Sequence, residues 1–353
     1  MSNTQKKNVP ELRFPGFEGE WEEKKLGDLT DRVIRKNKNL ESKKPLTISG
    51  QLGLIDQTEY FSKSVSSKNL ENYTLIKNGE FAYNKSYSNG YPLGAIKRLT
   101  RYDSGVLSSL YICFSIKSEM SKDFMEAYFD STHWYREVSG IAVEGARNHG
   151  LLNVSVNDFF TILIKYPSLE EQQKIGKFFS KLDRQIELEE QKLELLQQQK
   201  KGYIDFNVEA KYGNLDLYTR WMRGNELYKG QVLFTTEAPM GNVAQVPDNK
   251  GYILSQRTIA FNSNEKITDN FLASLLSSEN VYNDLLKLCS GATAKGVSQK
   301  NLNRLYVTIP HSISEQEEIA EFFRKINQLV ELQKYKIEHT KSQKQVFLQK
   351  MFI

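Results

Sequence analysis

The segment from Ser168 to Ile204 returns 144 residues later as Ser312 to Leu348, with no residue gained or lost between the copies. Glu171 and Gln172 come back as Glu315 and Gln316, Phe178 and Phe179 as Phe322 and Phe323, and Glu187, Leu188, Lys192 and Glu194 as Glu331, Leu332, Lys336 and Glu338. A long helical segment present twice implies a two-fold object that performs one task at two places. In the first copy Ile175, Phe179, Leu182, Ile186, Leu193, Leu196 and Tyr203 alternate by threes and fours, and in the second Ile319, Phe323, Ile326, Val330, Ile337 and Phe347 do the same. That is the seam of a coiled coil. Polar residues interrupt it at matching points, Glu189 with Gln333 and Lys200 with Lys344, as in helix pairs whose register is fixed. Each copy opens on an S-x-x-E capping box, Ser168 with Glu171 and Ser312 with Glu315, in which hydroxyl and carboxylate satisfy the free amides of the first turn, after a closing Pro167 or Pro310. At about 1.5 Å per residue such a helix spans roughly 50 Å, more than the roughly 34 Å of one DNA turn. It can serve as a ruler, or, read more plainly, as a hairpin that dimerises or braces the fold.

With 353 residues, 39% hydrophobic and 26% charged, the chain is long enough for two domains with separate cores. Cys113 and Cys289 lie far apart on apolar segments and are expected as buried free thiols in a reducing compartment. His133, His149, His311 and His339 show no ligand spacing, so no metal site is expected. No apolar run reaches the length of a membrane span and the polar start is no signal peptide, so a cytoplasmic protein without a membrane partner is expected. The net charge of +5 is mild, yet between Arg32 and Lys44 the only acid among the basic residues is Glu41. That local excess suits a polyanion.

Duplication extends beyond the helices. LSSLYICF (107–114) matches LSQRTIAF (254–261), Gly94 matches Gly241, NGEFAYN (78–84) matches KGQVLFT (229–235), and Ser139-Gly140 matches Ser290-Gly291. The offsets drift by a few residues, as loop insertions cause. TILIKY (161–166) and LYVTI (305–309) are predicted strands, and DFMEAYFDS (123–131) and NFLASLLSS (270–278) predicted helices. The order is globular unit, long helix, globular unit, long helix. The repeat breaks in one place: the second unit has no counterpart of WEEKKLGDL (21–29). A unit lacking its opening strand leaves sheet edges exposed, so an omission or deletion near residues 205–212 is expected.

These residues resemble the specificity subunits of type I restriction-modification systems. The resemblance rests on PELRFPGFEGEWEEKKLGDL (10–29), EEQQKIGKFFSKLDRQI (170–186), its echo EQEEIAEFFRKINQLVELQ (315–333), and SGATAKGVSQKNL (290–302), and spans essentially the whole chain. It implies an α+β fold: two mixed α/β target-recognition domains joined and spaced by two long helices in an antiparallel coiled coil, a pseudo-two-fold internal repeat. The boundaries expected are 1–167 for the first recognition domain, 168–206 for the first spacer helix, 207–311 for a shortened second recognition domain, and 312–353 for the second spacer helix. It further implies a non-catalytic subunit that reads a bipartite site on double-stranded DNA and docks adenine-methyltransferase (modification) and motor-nuclease (restriction) subunits. S-adenosylmethionine, ATP and Mg are then expected in those partners and no cofactor in this chain. The competing reading is a coiled-coil adaptor that scaffolds proteins without reading sequence.

Absent motifs agree. No methyltransferase tetrapeptide of the N-P-P-F kind occurs, GATAKGVS (291–298) has Val297 where a phosphate-loop lysine must sit, and VPDNK (246–250) lacks the further acidic residue a nuclease centre needs. If the units read DNA, Arg and Lys on loops should hold phosphates and Asn, Gln and Thr reach base edges. The first unit offers Arg32, Arg35, Lys36 and Lys38 in one stretch, Asn84 and Lys85 with Tyr87 and Asn89 in a loop, and Arg147, Asn148 and His149 in the glycine-flanked GARNHG. The second offers Arg220 and Arg223, then Thr235, Thr236 and Glu237, Gln256 and Arg257, and Lys295, Gln299 and Lys300. Against each stands an ordinary solvated turn. Trp134 and its neighbours, and Phe178 and Phe322, are expected in the core.

Overall fold

A computed structural model of the chain describes residues 8–50, 52–60, 69–86, 90–142, 152–199, 211–212, 218, 220, 222–237, 239–289 and 295–353. Its contacts define two compact units, residues 1–187 with 338–353, and residues 188–337.

The first unit is built on a four-stranded antiparallel sheet, in the order β2 (Thr30–Arg32), β9 (Tyr111–Ile116), β6 (Phe81–Asn84), β7 (Ala95–Arg98). Period-two alternation decides which way each side chain points. Phe81, Tyr83, Ile112, Phe114 and Ile116 enter one core with α3 (Lys122–Asp130), α4 (Tyr135–Ile141) and α5 (Val156–Phe159). Ala82 and Cys113 face a second core under β3 (Leu46–Ser49), β4 (Gly53–Asp56), β5 (Thr74–Lys77) and β8 (Ser104–Leu107). Both faces of the sheet are thus covered. Aromatic stacking fills the first core, with Phe81 on Phe114 at 5.6 Å and Tyr83 on Phe159 at 4.7 Å. The opening of the chain closes it: β1 (Glu22–Lys25) pairs antiparallel with β10 (Leu163–Tyr166), and the short helix α1 (Leu26–Leu29) buries both its leucines before β2 begins.

The second unit repeats this plan in reduced form. Its sheet runs β13 (Val243–Gln245), β12 (Val232–Thr235), β15 (Thr258–Phe261), matching β7, β6 and β9, while β11 (Lys211–Tyr212) pairs with β14 (Tyr252–Ile253) as β5 does with β8. Helices α7 (Asp269–Leu276), α8 (Glu279–Leu288) and α9 (Gln299–Leu302) each start on a Ser or Thr whose hydroxyl accepts a first-turn amide. Gly94 and Gly241, matched in sequence, both hold φ near the left-handed region, +79° and +93°, where any side chain would run into Asn84 or the Tyr282 ring.

Helix α6 (Leu169–Gln199) and helix α10 (Ile313–Lys350) contribute to both units. Within the first unit they run in opposite directions: Phe178 meets Phe347 at 5.1 Å between ring centroids, and five residues on Asp183 meets Lys344 at 2.6 Å. Within the second, Gln333 Nε2 donates to the Glu189 carbonyl at 2.9 Å and to the Glu189 carboxylate. The seam positions Ile175, Phe179, Leu182, Ile186, Leu193, Leu196, Ile319, Phe323, Ile326, Val330 and Ile337 are all buried or half-buried. The repeated glutamine has a role that spacing did not disclose. Gln172 Oε1 accepts from the Ser121 amide at the start of α3 while its Nε2 donates to the Pro167 carbonyl, and Gln316 makes the same pair of bonds to Thr268 and Pro310. In each unit one buried amide thereby fastens the long helix to the domain helix beside it.

Several expectations are corrected. The segment 305–309 is no strand, and Tyr306 there is 92% exposed. The physical reason is the missing opening: β10 is a strand because β1 pairs with it, and among the described residues nothing pairs with 305–309. Only half of each capping box forms. Ser168 and Ser312 accept from the amides of Glu171 and Glu315, but the Glu171 carboxylate instead receives two bonds of 2.7 Å from Arg13. Phe322 is 57% exposed rather than in the core, and Cys289 is half-buried while Cys113 is buried. Tyr203 and Lys200 lie outside the described residues.

Candidate DNA interface

In the second unit three separated segments meet at one end of the sheet. Thr235 ends β12, and the chain after it is bridged on both sides: Thr236 donates its amide to the Arg257 carbonyl at 2.8 Å, accepts from the Val297 amide at 2.9 Å, and Glu237 forms a bridge with Gly296. Gln256 and Arg257 sit in the turn before β15, and Lys295 precedes the bridged Gly296. Thr235, Thr236, Gln256, Arg257 and Lys295 are therefore brought together. Gln256 and Lys295 are exposed, and Arg257 pairs with Glu237 at 3.2 Å with both side chains more than half exposed, a geometry that holds little energy against a competing phosphate. Thr235 is internally engaged, its hydroxyl donating to the Pro239 carbonyl and accepting from the Asn242 amide, and the Thr236 hydroxyl donates to the Arg257 carbonyl. These threonines shape the loop, and Gln256, Arg257 and Lys295 carry its exposed side chains. Lys300 lies exposed on α9, and Arg220 and Arg223 are exposed apart from this cluster in sequence and pairing.

The first unit has the same end. Asn84 closes β6, its Oδ1 accepting from the Ser86 amide, and the Lys85 carbonyl accepts from the Leu152 amide as that of Thr236 does from Val297. Lys85 is half-buried and its Nζ reaches the Val154 carbonyl at 3.4 Å. Arg147, Asn148 and His149, with Tyr87 and Asn89, lie outside the described residues. The basic stretch is elsewhere. One guanidinium nitrogen of Arg35, Nη2, donates to both Glu80 carboxylate oxygens at 2.8 and 2.9 Å, and Lys36 donates to the Asn72 carbonyl. Since Glu80 stands just before β6 and Asn84 at its end, Arg35 and Asn84 occupy opposite ends of that strand, roughly 13 Å apart. Arg32, exposed on β2, pairs with Phe114, which in turn pairs with Phe81, so it lies at the Glu80 end rather than beside Asn84.

A polar cleft of about 630 Å³ on the first unit went unnoticed in the sequence as a feature of its own. It is lined by Lys43, Lys44 and Arg101 together with Glu41, Asp56 and Asp103. Lys44 stands 4.3 Å over the Tyr102 ring and 3.4 Å from Asp56, whose carboxyl is held below its ordinary range: burial would raise it, but bonds from Thr58 and Lys44 outweigh that. The doubled lysine was its one visible signal. Beneath the sheet, Lys97 of β7 and Lys344 of α10 both bind Asp130, at 2.6 and 2.9 Å. Burial alone would lift the Asp130 carboxyl, yet the two ammonium groups hold it down at about 2.

Among the described residues no group of His, Cys, Asp and Glu is arranged to hold a metal ion, and no helix is long and apolar enough to cross a membrane. Fold and site together define a class: a twice-repeated α+β module on paired long helices, with polar loops gathered at one sheet end of each module. A family model described as the type I restriction modification DNA specificity domain matches residues 18–198 and 209–341. The chain belongs to this family, and it is a DNA specificity subunit, the non-catalytic component of a type I restriction-modification system. Over 98% of this chain and 99% of the other, it is similar at 14% identity and a TM-score of 0.59 to the S subunit of the type I restriction-modification system from M. genitalium, a likeness of fold. The HsdS subunit from Thermoanaerobacter tengcongensis matches with 17% identity over 96% of this chain and 97% of that one, at a TM-score of 0.42. A chain from a study of complex assembly and conformational transition of the type I R-M system matches with 17% identity over 97% and 99%, at a TM-score of 0.47. No curated protein matches the sequence.

Proposed function

We propose that each repeat reads one half of a bipartite site on double-stranded DNA with the loops at the end of its central strand. In the second unit Gln256 addresses a base edge, with Arg257 and Lys295 on a base or phosphate and Lys300, Arg220 and Arg223 on phosphates. In the first, Asn84, Lys85, Arg147, Asn148 and His149 contact the bases, and Arg32 supplies backbone contact. The supporting observation is that Thr236 to Val297 and Lys85 to Leu152 are the same bridge in both units, so unrelated loop sequences are presented on one repeated frame.

The recognition domains are residues 1–167 and 207–311, and the helices of 168–206 and 312–353 form the antiparallel coiled coil that sets the unread spacer. Methyltransferase subunits dock along these helices, with motor-nuclease subunits added for restriction, and those partners carry S-adenosylmethionine, ATP and Mg. The assembly works in the cytoplasm, where it meets incoming DNA. The test is to reconstitute the complex with its modification subunit and map methylated adenines. Arg257→Ala is expected to weaken or relax one half-site by about 1–3 kcal/mol with assembly intact, and an unaltered methylation pattern overturns the assignment of that loop.

A further inference from the structure

Two adjacent edges that the first unit closes have no partner strand among the described residues of the second, and the first unit supplies the mould of what closes them. Residues 21–32 run as strand, short helix and strand: β1 pairs with β10, and β2 pairs with β9. Trp21, Leu26 and Leu29, 3%, 0% and 2% exposed, plug the core between. In the second unit, among the described residues, β15 pairs with β12 alone and 305–309 with nothing. The consequences match position by position. Ile164 is fully buried where its counterpart Val307 is 41% exposed, Phe178 packs on Phe14 where Phe322 is 57% exposed, and Ile112, Cys113 and Phe114 are buried where Ile259, Ala260 and Phe261 are half-buried. Glu171 is bound by Arg13, while Glu315 stands exposed.

The platform nevertheless keeps its shape. Phe322 and Phe323 meet at 5.3 Å and 81°, Phe178 and Phe179 at 5.3 Å and 75°, and Gln316 makes the bonds of Gln172. We infer that the second unit is a vacant acceptor that binds, in trans, a polypeptide segment of the kind found at residues 8–33: an Arg for Glu315, an aromatic and two leucines spaced as Trp21, Leu26 and Leu29, and two extended arms that add strands to 305–309 and to β15. Addition of a strand to an open edge supplies backbone hydrogen bonds, and the apolar anchors supply selectivity. The occupant is a separate chain carrying that segment rather than a second copy of this one. Each copy's own opening is already held by β10 and β9, so donating it would open the same two edges in the donor.

The test uses the full chain and a fluorescein-labelled synthetic peptide of residues 8–33. Fluorescence anisotropy is expected to show saturable one-to-one binding, weakened at least about tenfold by Val307→Asp in the protein, a surface change checked by circular dichroism, and by Leu26→Asp with Leu29→Asp in the peptide, which cannot unfold the protein. Hydrogen exchange with the unlabelled peptide should slow the amides of 258–261 and 306–309. No saturable binding, protection at 163–166 instead, or a self-associated chain that Val307→Asp returns to monomers would each overturn the inference, the last by naming a second copy as the occupant. DNA reading enters none of these measurements, so failure here is distinct from failure of the proposed function.

Discussion

Replacing Lys344 by Met tests whether the polar interruption of the seam locks the helices to the first unit. Lys344 is 11% exposed at the side chain and its Nζ lies 2.9 Å from Asp130 and 2.6 Å from Asp183, while Asp130 also holds Lys97. Removing one partner of a buried ion pair costs about 3–5 kcal/mol when the remaining charge is left alone. Lys97 still compensates Asp130, and Asp183, half exposed, loses little. The expected loss therefore falls at or below the bottom of that range, about 2–3 kcal/mol. Lys97 and Lys344 together hold the Asp130 carboxyl at about 2 against the ordinary 3.8, which gives the loss its pH dependence. Because this folded-state value lies below the unfolded one, that stability is present above about pH 4 and lost as the pH falls toward 2. Urea unfolding followed by tryptophan fluorescence in a Trp221→Phe background reports on the first unit, where Trp21 and Trp134 are buried. The gap between native and Lys344→Met proteins should be widest at pH 7 and narrow below pH 4, and Asp130→Asn should absorb most of it. A gap that persists unchanged at pH 3, or a neutral substitution at pH 7, refutes the reasoning.

The duplicated helix start offers a controlled comparison. Glu171→Gln, which strips a buried fork from Arg13, should cost about 3 kcal/mol, whereas Glu315→Gln, at the exposed equivalent position, should stay within about 0.5 kcal/mol; equal effects in urea unfolding would contradict the asymmetry. Seven residues inserted into both α6 and α10 should lengthen the unread spacer by roughly 10 Å, about three base pairs at 3.4 Å each, as read by mapping methylated adenines, while insertion into α6 alone should impair assembly. A folded double insertion that keeps the native spacer dismisses the ruler.

The helices were legible because their signal is periodic and repeated: Ile175, Phe179 and Ile326 lie where spacing puts them. Domain strands were legible where alternation and β-branched content coincide, as at 163–166. Residues 305–309 carry the same local signal and do not form a strand, since strand formation is settled by a partner that 21–29 supplies to one unit and not to the other. Local chemistry also could not tell a reading side chain from a structural one. Arg35 and Lys36 look like free cations in sequence, but Glu80 lies 45 residues away and only folding brings its carboxylate onto Arg35. Gln172 and Gln316 were visible as a repeated pair, yet their work is done on backbone atoms, which carry no sequence signature.

Glu189 and Gln333 occupy the same position of the repeat, and they are in contact. In an antiparallel pair of identical helices a residue meets its own equivalent only at the midpoint, so the proposed coiled coil would be centred here, and a register slip would separate the two. At a midpoint, identical residues face each other, which for two glutamates means like charges and for two glutamines a neutral amide pair. The chain has one of each, so that a carboxylate receives a charge-assisted bond from the buried amide of Gln333. Gln333→Glu should then cost about 1–3 kcal/mol, since an opposed carboxylate replaces the donor. The exchanged pair Glu189→Gln with Gln333→Glu restores one donor and one acceptor at the same place and should recover most of the stability. If the exchange is no better than Gln333→Glu alone, the contact does not set the register, and the apolar seam on either side must hold it unaided.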